Sequence, residues 1–264
     1  MQYYRTVTQS CSKLREVART ALKGNWKQVV LFMALYYLLV SGVSMVLDIF
    51  FHTTQVVPAD ELAGAAGPVS VDLGYGGTIY EFFIGGPAAW SLSKFMLDFF
   101  RTRKKDYTTL FEGFSFFAKS FSLMILMSVR ILLWSLLFVI PGIIASFRYS
   151  QAYYIMVDHP EYTPGQCIRE SCAMMNGNKA KLLLLQFSFI GWYILASIPT
   201  AFYDGGTDNI GSVAIVLLLS VPGMIVDVYL NVALTAFYEI AADNLIVAES
   251  DEYVENRWDD HNNM

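Results

Sequence analysis

Long stretches without charge constrain this chain more than any motif does. Residues 28–47 and 182–203 contain no charged side chain, and a helix of about 20 residues at 1.5 Å each crosses the roughly 30 Å hydrocarbon layer of a bilayer. Four further apolar stretches carry only one or two charges each. Hydrophobic residues make up 55 % of the chain, more than a globular protein needs, and charged residues make up only 16 %. The surplus apolar surface is predicted to face lipid.

The predicted fold is all-α: a polytopic membrane helical bundle with six transmembrane helices arranged as three hairpins. The predicted spans lie near 28–50, 82–101, 119–140, 142–158, 182–203 and 211–240. Residues 1–248 are expected to form a single membrane domain, and residues 249–264 an acidic cytoplasmic tail.

The basic residues occupy alternate connectors, which predicts the orientation. Lys and Arg cluster before the first span, after the second and after the fourth, whereas the connector 51–85 has none and the connector 204–211 has only Asp204 and Asp208. By the positive-inside rule the basic connectors and both termini lie in the cytoplasm. Cys11, Cys167 and Cys172 then lie on the reducing side, so no disulfide is expected.

An internal repeat is visible when two Gly-Asn pairs are aligned. The segment 18–42 around Gly24 then resembles the segment 171–195 around Gly177, and a related pattern without Gly-Asn runs through 109–129. Each unit reads as an amphipathic helix on the cytoplasmic surface followed by two spans. These helices are either sensors of membrane curvature or anionic lipid, or elbows that turn the chain, and we favour elbows.

Two Pro-Gly pairs interrupt the later spans. Pro141 is the only breaker in an apolar run of nearly forty residues, which is about twice the bilayer thickness as helix, so a tight turn or sharp kink is predicted there. Pro222 lies inside a single 29-residue stretch and is predicted to kink the sixth helix.

Polar residues deep in the predicted spans are the candidate site. Charges near a bilayer centre cost about 2.5 to 3.5 kcal/mol on insertion scales, so they need partners inside the bundle. Arg148 and Asp227 follow the two prolines at similar distances, and we predict that they pair. Polar stripes on the fourth and sixth helices are either a substrate path or interhelical glue, and we favour glue. The candidates for a substrate path or a buried ion pair are Arg130, Arg148, Gln151, Asp227, Asn231 and Glu239.

Recognisable chemistry is absent from the sequence. None of the three His residues lies near a Cys or a second His in metal-ligand spacing, and no zinc-protease, nucleophile-elbow or P-loop motif occurs. No metal, cofactor or catalytic residue is therefore predicted. The Gly-rich run at 74–78 is expected to be a flexible loop rather than a phosphate cradle. The basic clusters are juxtamembrane, which favours membrane lipids over nucleic acid as the polyanion they meet.

Several segments together resemble a bacterial integral-membrane family catalogued as domain of unknown function 975. They are A-R-T-A-L-K-G-N-W at 18–26, L-F-E-G-F at 110–114, I-P-G-I-I-A-S-F-R-Y-S-Q-A-Y-Y-I-M at 140–156, M-N-G-N-K at 175–179, S-F-I-G-W at 188–192 and A-F-Y at 236–238. The resemblance covers nearly the whole chain and implies a six-span protein of a bacterial cytoplasmic membrane, with no established reaction and no assigned catalytic residue.

Three functional hypotheses remain open. The leading one is a non-enzymatic transport or lipid-handling module, or an accessory of an envelope complex with a protein partner. The second is a membrane-embedded enzyme acting on lipid or a cell-wall precursor, in which Asp227 or Glu239 would be required for turnover. The third is an immunity or stress-type interaction protein that uses the connector 51–85 and the acidic tail. The sequence does not give an oligomeric state.

Overall fold

A computed structural model describes residues 4–57, 69–104, 106–203, 209–247 and 254–256. Several predicted features lie outside these ranges: the outer acidic residues Asp60, Glu61, Asp204 and Asp208, the inner base Lys105, and the acidic tail apart from 254–256.

The described chain is almost entirely helical, which confirms the all-α prediction. The helices are α1 (Cys11–Leu22), α2 (Trp26–Tyr37), a π-helical turn (Leu38–Gly42), α3 (Val43–Phe50), α4 (Gly76–Thr102), α5 (Thr109–Ser115), α6 (Phe117–Leu137), α7 (Val139–Tyr149), α8 (Ala152–Asp158), α9 (Pro164–Met174), α10 (Lys179–Phe187), α11 (Ile190–Ala201), α12 (Ile210–Leu219) and α13 (Val221–Ala241). Two small antiparallel hairpins were not predicted: β1 (His52–Val57) with β2 (Val69–Gly74), and β3 (Leu245–Val247) with β4 (Val254–Asn256).

Three helices of the described chain are long and apolar enough to cross a membrane. They are Trp26–Phe50, which joins α2, the π turn and α3, together with Phe117–Leu137 and Val221–Ala241. The pair α10 and α11, bent by 41°, gives a fourth if it counts as one span. This apolar length supports membrane association.

The sixth predicted span is divided at Ser220 into α12 and α13. Pro222 lies in the first turn of α13. Backbone N–H groups in the first turn have no helical acceptor, so the N–H that proline lacks costs no helical hydrogen bond. The predicted effect of Pro222 therefore takes the form of a helix break two residues before it.

The chain reverses between α6 and α7 at Phe138, whose backbone is extended. A Cβ atom at Gly142 would lie 2.0 Å from the Ser135 Oγ atom, so the two helices approach closely on both sides of the turn. The tight turn or sharp kink predicted at Pro141 thus takes the form of a turn three residues earlier, and Pro141 lies in the first turn of α7. Glycine at 142 permits this contact because it has no side chain to place there.

The two Gly-Asn pairs of the internal repeat have the same local structure. Gly24 and Gly177 both have positive φ, +80° and +86°, in the left-handed region that favours glycine. Asn25 precedes α2 and Asn178 precedes α10 as the N-cap residue. The aligned glycines therefore make equivalent turns, from α1 into α2 and from α9 into α10.

The buried core lies where α1 and α9 meet the long helices. All five apolar residues on one face of α1 are buried in protein, and α1 packs against α13. This burial supports the elbow interpretation, because protein rather than lipid covers the face. In the same core Phe32 of α2 stacks on Phe95 of α4, with ring centroids 3.5 Å apart.

The α6–α7 turn has the opposite character, since its large apolar side chains are exposed. Leu136, Phe138 and Val139 are 74 %, 71 % and 72 % exposed. A contiguous apolar surface of this kind is unfavourable in water and suits contact with lipid.

The Gly-rich run at 74–78 lies mostly within regular secondary structure, whereas the sequence predicted a loop there. It joins strand β2 to the start of α4, and the Asp48 Oδ1 atom accepts a hydrogen bond of 2.8 Å from the Gly77 N–H. A Cβ atom at Gly77 would lie 2.4 Å from the Ser44 Oγ atom. A carboxylate of α3 thus caps the N-terminus of α4.

Candidate functional site

A cavity of about 570 Å³ lies between α2, α11, α12 and α13. Its lining is mainly aliphatic, and the polar side chains in it are Tyr37, Tyr193, Ser220 and Asp227. The Ser220 hydroxyl donates to the Leu217 carbonyl oxygen of the preceding turn. The two tyrosines and the aspartate therefore supply the polar surface available to a ligand.

The carboxylate of Asp227 is held by hydroxyl groups from two other helices. Tyr37 of α2 donates to its Oδ2 atom, and Tyr193 of α11 donates to its Oδ1 atom. Among the residues the structure describes, no Lys, Arg or His forms an ion pair with Asp227. Within the described ranges the carboxylate thus has a fixed orientation but no partner of opposite charge.

The π-helical turn begins directly after Tyr37, and its first residue, Leu38, also lines the cavity. A π turn accommodates one residue more than the α-helix and is frequent at functional sites. Here it adjoins the residue that binds Asp227, which supports the assignment of the cavity as the candidate site.

The predicted polar stripe of α13 connects the cavity to the other end of the helix. The Asn231 side-chain N–H donates to the Asp227 carbonyl oxygen at 2.8 Å, and the Thr235 hydroxyl donates to the Asn231 carbonyl oxygen at 2.9 Å. The Tyr154 hydroxyl of α8 lies 3.3 Å from the Thr235 hydroxyl. The predicted stripes of the fourth and sixth helices therefore meet at Tyr154 and Thr235.

A buried ion cluster lies at the far end of this stripe. Both terminal nitrogens of Arg101 on α4 bind the two oxygens of Asp158 on α8, at 2.6 and 2.7 Å. The Arg101 Nε atom donates to the Glu239 Oε1 atom at 2.7 Å, and the Tyr238 hydroxyl donates to Asp158 at 2.7 Å. The cluster joins α4, α8 and α13, and bidentate guanidinium contacts make such a junction specific.

The predicted ion pair between Arg148 and Asp227 is wrong. Asp227 binds the two tyrosines instead, and among the described residues neither Arg130 nor Arg148 forms an ion pair. The prediction assumed that Pro141 and Pro222 mark turns at equal depth. The chain reverses at Phe138 in one case and is only interrupted at Ser220 in the other, so that spacing does not bring the charges together.

The remaining candidate, Gln151, belongs to the packing of α8 on α9. Its backbone N–H donates to the Ser171 hydroxyl at 3.2 Å, and that hydroxyl donates to the Arg148 carbonyl oxygen at 2.8 Å. Gln151 is 2 % exposed and does not line the cavity. Of the six predicted candidates, Asp227 alone lines the cavity, Asn231 adjoins it, and Glu239 lies in the ion cluster.

Sequence reasoning missed Tyr37, Tyr193 and Arg101. Tyr37 was interpreted as an interfacial or packing aromatic, Tyr193 was not singled out, and Arg101 was one of several bases after the second predicted span. A signal was available: a carboxylate inside a span requires donors, and tyrosine hydroxyls are neutral donors that charge-free spans can carry. Within the described ranges, no group of three or more His, Cys, Asp or Glu side chains could hold a metal ion.

A family model described as "Protein of unknown function (DUF975)" matches residues 7–144 and 136–244. The two matches together include every residue of the cavity and of the ion cluster. No curated protein and no solved structure matches the chain.

Proposed function

This chain belongs to the DUF975 family of proteins of unknown function, and we propose that it is a membrane protein that binds an amphipathic small molecule or lipid around Asp227. One observation carries the proposal: an ionisable side chain, oriented by two tyrosines, lines an otherwise apolar cavity. Binding sites for small molecules are commonly apolar, with a few convergent polar groups that fix orientation. An ionisable residue inside a membrane span is costly to place there, which also makes Asp227 a functional candidate.

The proposed arrangement places the chain in a bacterial cytoplasmic membrane with six spans, three hairpins and both termini inside. The basic connectors support this orientation, because Lys and Arg concentrate on the cytoplasmic side of membrane proteins. In this arrangement α1, α5 and α9 lie at the inner surface, and Asp227 lies about 18 Å deeper than Glu239, since twelve residues of helix separate them at 1.5 Å each. Membrane lipids are the proposed neighbours on the outer faces.

Within that arrangement, we propose a non-enzymatic role in transport or lipid handling, alone or beside a partner in the envelope. The stripe from Asp227 through Asn231 and Thr235 leads from the cavity toward the Arg101 cluster, as expected of a polar path along one helix. The path contains hydroxyl, amide and carboxylate groups but no nucleophile paired with a base.

The test compares two substitutions of the same kind. Gly223 lines the cavity and Gly191 on α11 does not, and a Cβ atom at either position meets no atom within 4 Å. Gly223→Leu should fill the cavity, while Gly191→Leu should leave it open. We expect native mass spectrometry of protein extracted with its own lipids to reveal a bound molecule of defined mass in the wild type and in Gly191→Leu, but not in Gly223→Leu. A defined mass that survives in Gly223→Leu, or only bulk lipid in all three proteins, would refute binding in this cavity.

A further inference from the structure

Resting on the proposed function, we infer that the ligand of the cavity carries a positive charge, such as an amine or quaternary ammonium group on an apolar body. The inference comes from the pairing of charges around Asp227 compared with the pairing elsewhere in the protein.

Asp227 has only neutral hydrogen-bond donors among the described residues. An ionised carboxylate in apolar surroundings is unfavourable unless a cation or several hydrogen bonds compensate it. Tyr37 and Tyr193 provide one neutral donor to each oxygen. A carboxylate has about four lone-pair sites, so two donors leave acceptor capacity free. Among the described residues no cationic side chain pairs with it, and the negative charge is left for a ligand to balance.

The carboxylates of the buried ion cluster are paired differently from Asp227. Asp158 and Glu239 also lie in apolar helices, yet Arg101 binds both of them within 2.7 Å. At this junction the fold supplies a cation to both carboxylates. At Asp227 it supplies a cavity instead, which indicates that the countercharge enters from outside the chain.

The lining of the cavity around Asp227 indicates the rest of the ligand. The cavity lining is aliphatic except at Tyr37, Tyr193, Ser220 and Asp227. The apolar part suits an acyl or aryl body, and tyrosine rings attract cations through their negative faces. A cation with an apolar body matches both parts of the lining, whereas an anionic ligand would meet the Asp227 carboxylate as a like charge.

The experiment uses two probes of similar size and opposite charge, tetraphenylphosphonium and tetraphenylborate. Binding of each to the full-length protein is measured by equilibrium dialysis at a fixed concentration of non-ionic micelles, for the wild type, Asp227→Asn, Gly223→Leu and Gly191→Leu. We expect the phosphonium to bind the wild type and Gly191→Leu. Its affinity should fall by roughly tenfold or more in Asp227→Asn, because the charge pair is lost. The affinity for the phosphonium should also fall in Gly223→Leu. The affinity for the borate should be the same in the wild type and in Asp227→Asn.

Each other outcome overturns a defined part of the argument. If both probes bind the wild type equally and Gly223→Leu excludes both, the cavity binds ligands but not by charge, so this inference fails while the proposed function stands. If the borate binds more tightly than the phosphonium, the charge preference is reversed and the inference fails. If Gly223→Leu changes nothing for either probe, binding in the cavity fails as well.

Discussion

Arg101 and Glu239 form an ion pair of 2.7 Å between α4 and α13, in which the Glu239 side chain is completely buried. The two residues are 138 positions apart, so this contact fixes one end of each helix against the other. Because Asp158 shares the same guanidinium, the pair belongs to a junction of three helices.

Removing the cation of this junction should destabilise the protein strongly. Arg101→Ala leaves the buried Glu239 and the partly buried Asp158 without their shared cation, and breaking a buried pair costs about 3 to 5 kcal/mol in unfolding free energy. The measurement is chemical denaturation in mild detergent. Lys94→Ala is the control, since Lys94 lies on the same helix in partly exposed pairs with Asp98 and Glu112, each of which contributes about 1 kcal/mol or less. Equal losses for the two variants would contradict the role assigned to the junction.

The tyrosine donors to Asp227 should each contribute measurably to stability. Tyr37→Phe or Tyr193→Phe removes one hydrogen bond to a charged acceptor, and we expect a loss of about 1.5 to 3 kcal/mol for each. Tyr36→Phe serves as the control, because among the described residues its hydroxyl makes no hydrogen bond with a side chain of another helix. The same denaturation assay would disprove the contacts if all three variants were equally stable.

Glycine 142 should tolerate alanine only when Ser135 is also changed. The added Cβ would lie 2.0 Å from Ser135 Oγ, and overpacking of this kind costs about 1 to 3 kcal/mol. In a double-mutant cycle, Gly142→Ala should cost less in the Ser135→Gly background than in the wild type. Gly113→Ala serves for comparison. Its added Cβ would lie 2.1 Å from the backbone oxygen of Pro87, so no change of a side chain relieves that clash. Additive effects of the Gly142 and Ser135 substitutions would count against the close approach of α6 and α7.

The two repeat glycines should respond alike to substitution. Gly24→Ala and Gly177→Ala place a Cβ on a left-handed backbone, at a cost of roughly 1 to 2 kcal/mol, while asparagine is tolerated better there. Gly191→Ala is the matched control, since Gly191 is helical and open, and alanine there should be neutral or stabilising. Thermal unfolding of the alanine and asparagine variants tests this, and no preference for asparagine at 24 and 177 would contradict it.

Cys167 should react with alkylating reagents far more slowly than Cys11 or Cys172. It is fully buried on α9, and burial raises the pKa of its thiol to about 11. The thiolate is the reactive form, so at pH 8 only about one Cys167 in a thousand is ionised, and the rate should rise roughly tenfold per pH unit until the pH nears that pKa. Single-cysteine variants separate the three rates. Equal labelling of folded Cys167 and Cys172 would contradict the burial of Cys167.

How much of this could be predicted from the sequence depends on the range of the interactions involved. The apolar length of 28–50 and the Gly-Asn pairs at Gly24 and Gly177 are local signals, and they predicted a candidate span and the two equivalent turns. Asp227 was identified from its membrane depth alone. Its partners were not, because Tyr37 is 190 positions away and only the packing of α2 against α13 brings it there.

The error at Arg148 has the same origin. Counting residues from Pro141 to Arg148 and from Pro222 to Asp227 gave similar spacings, but spacing along the chain fixes depth only if both prolines act alike. Arg101 was missed because the sequence around a base at the end of an apolar helix does not show what the base contacts. It can bind lipid headgroups or, as here, the carboxylates of Asp158 and Glu239.

The π turn at Leu38–Gly42 rotates α3 relative to α2 within the continuous helix Trp26–Phe50. Each residue of an α-helix advances about 100° around the axis, so the one extra residue offsets everything after it by about that angle. Tyr37 and Asp48 would otherwise lie on nearly the same side, eleven residues apart. With the offset, Tyr37 meets Asp227 of α13 while Asp48 meets Gly77 of α4. Deleting one residue from 38–42 would turn Asp48 away from α4 without touching either contact directly.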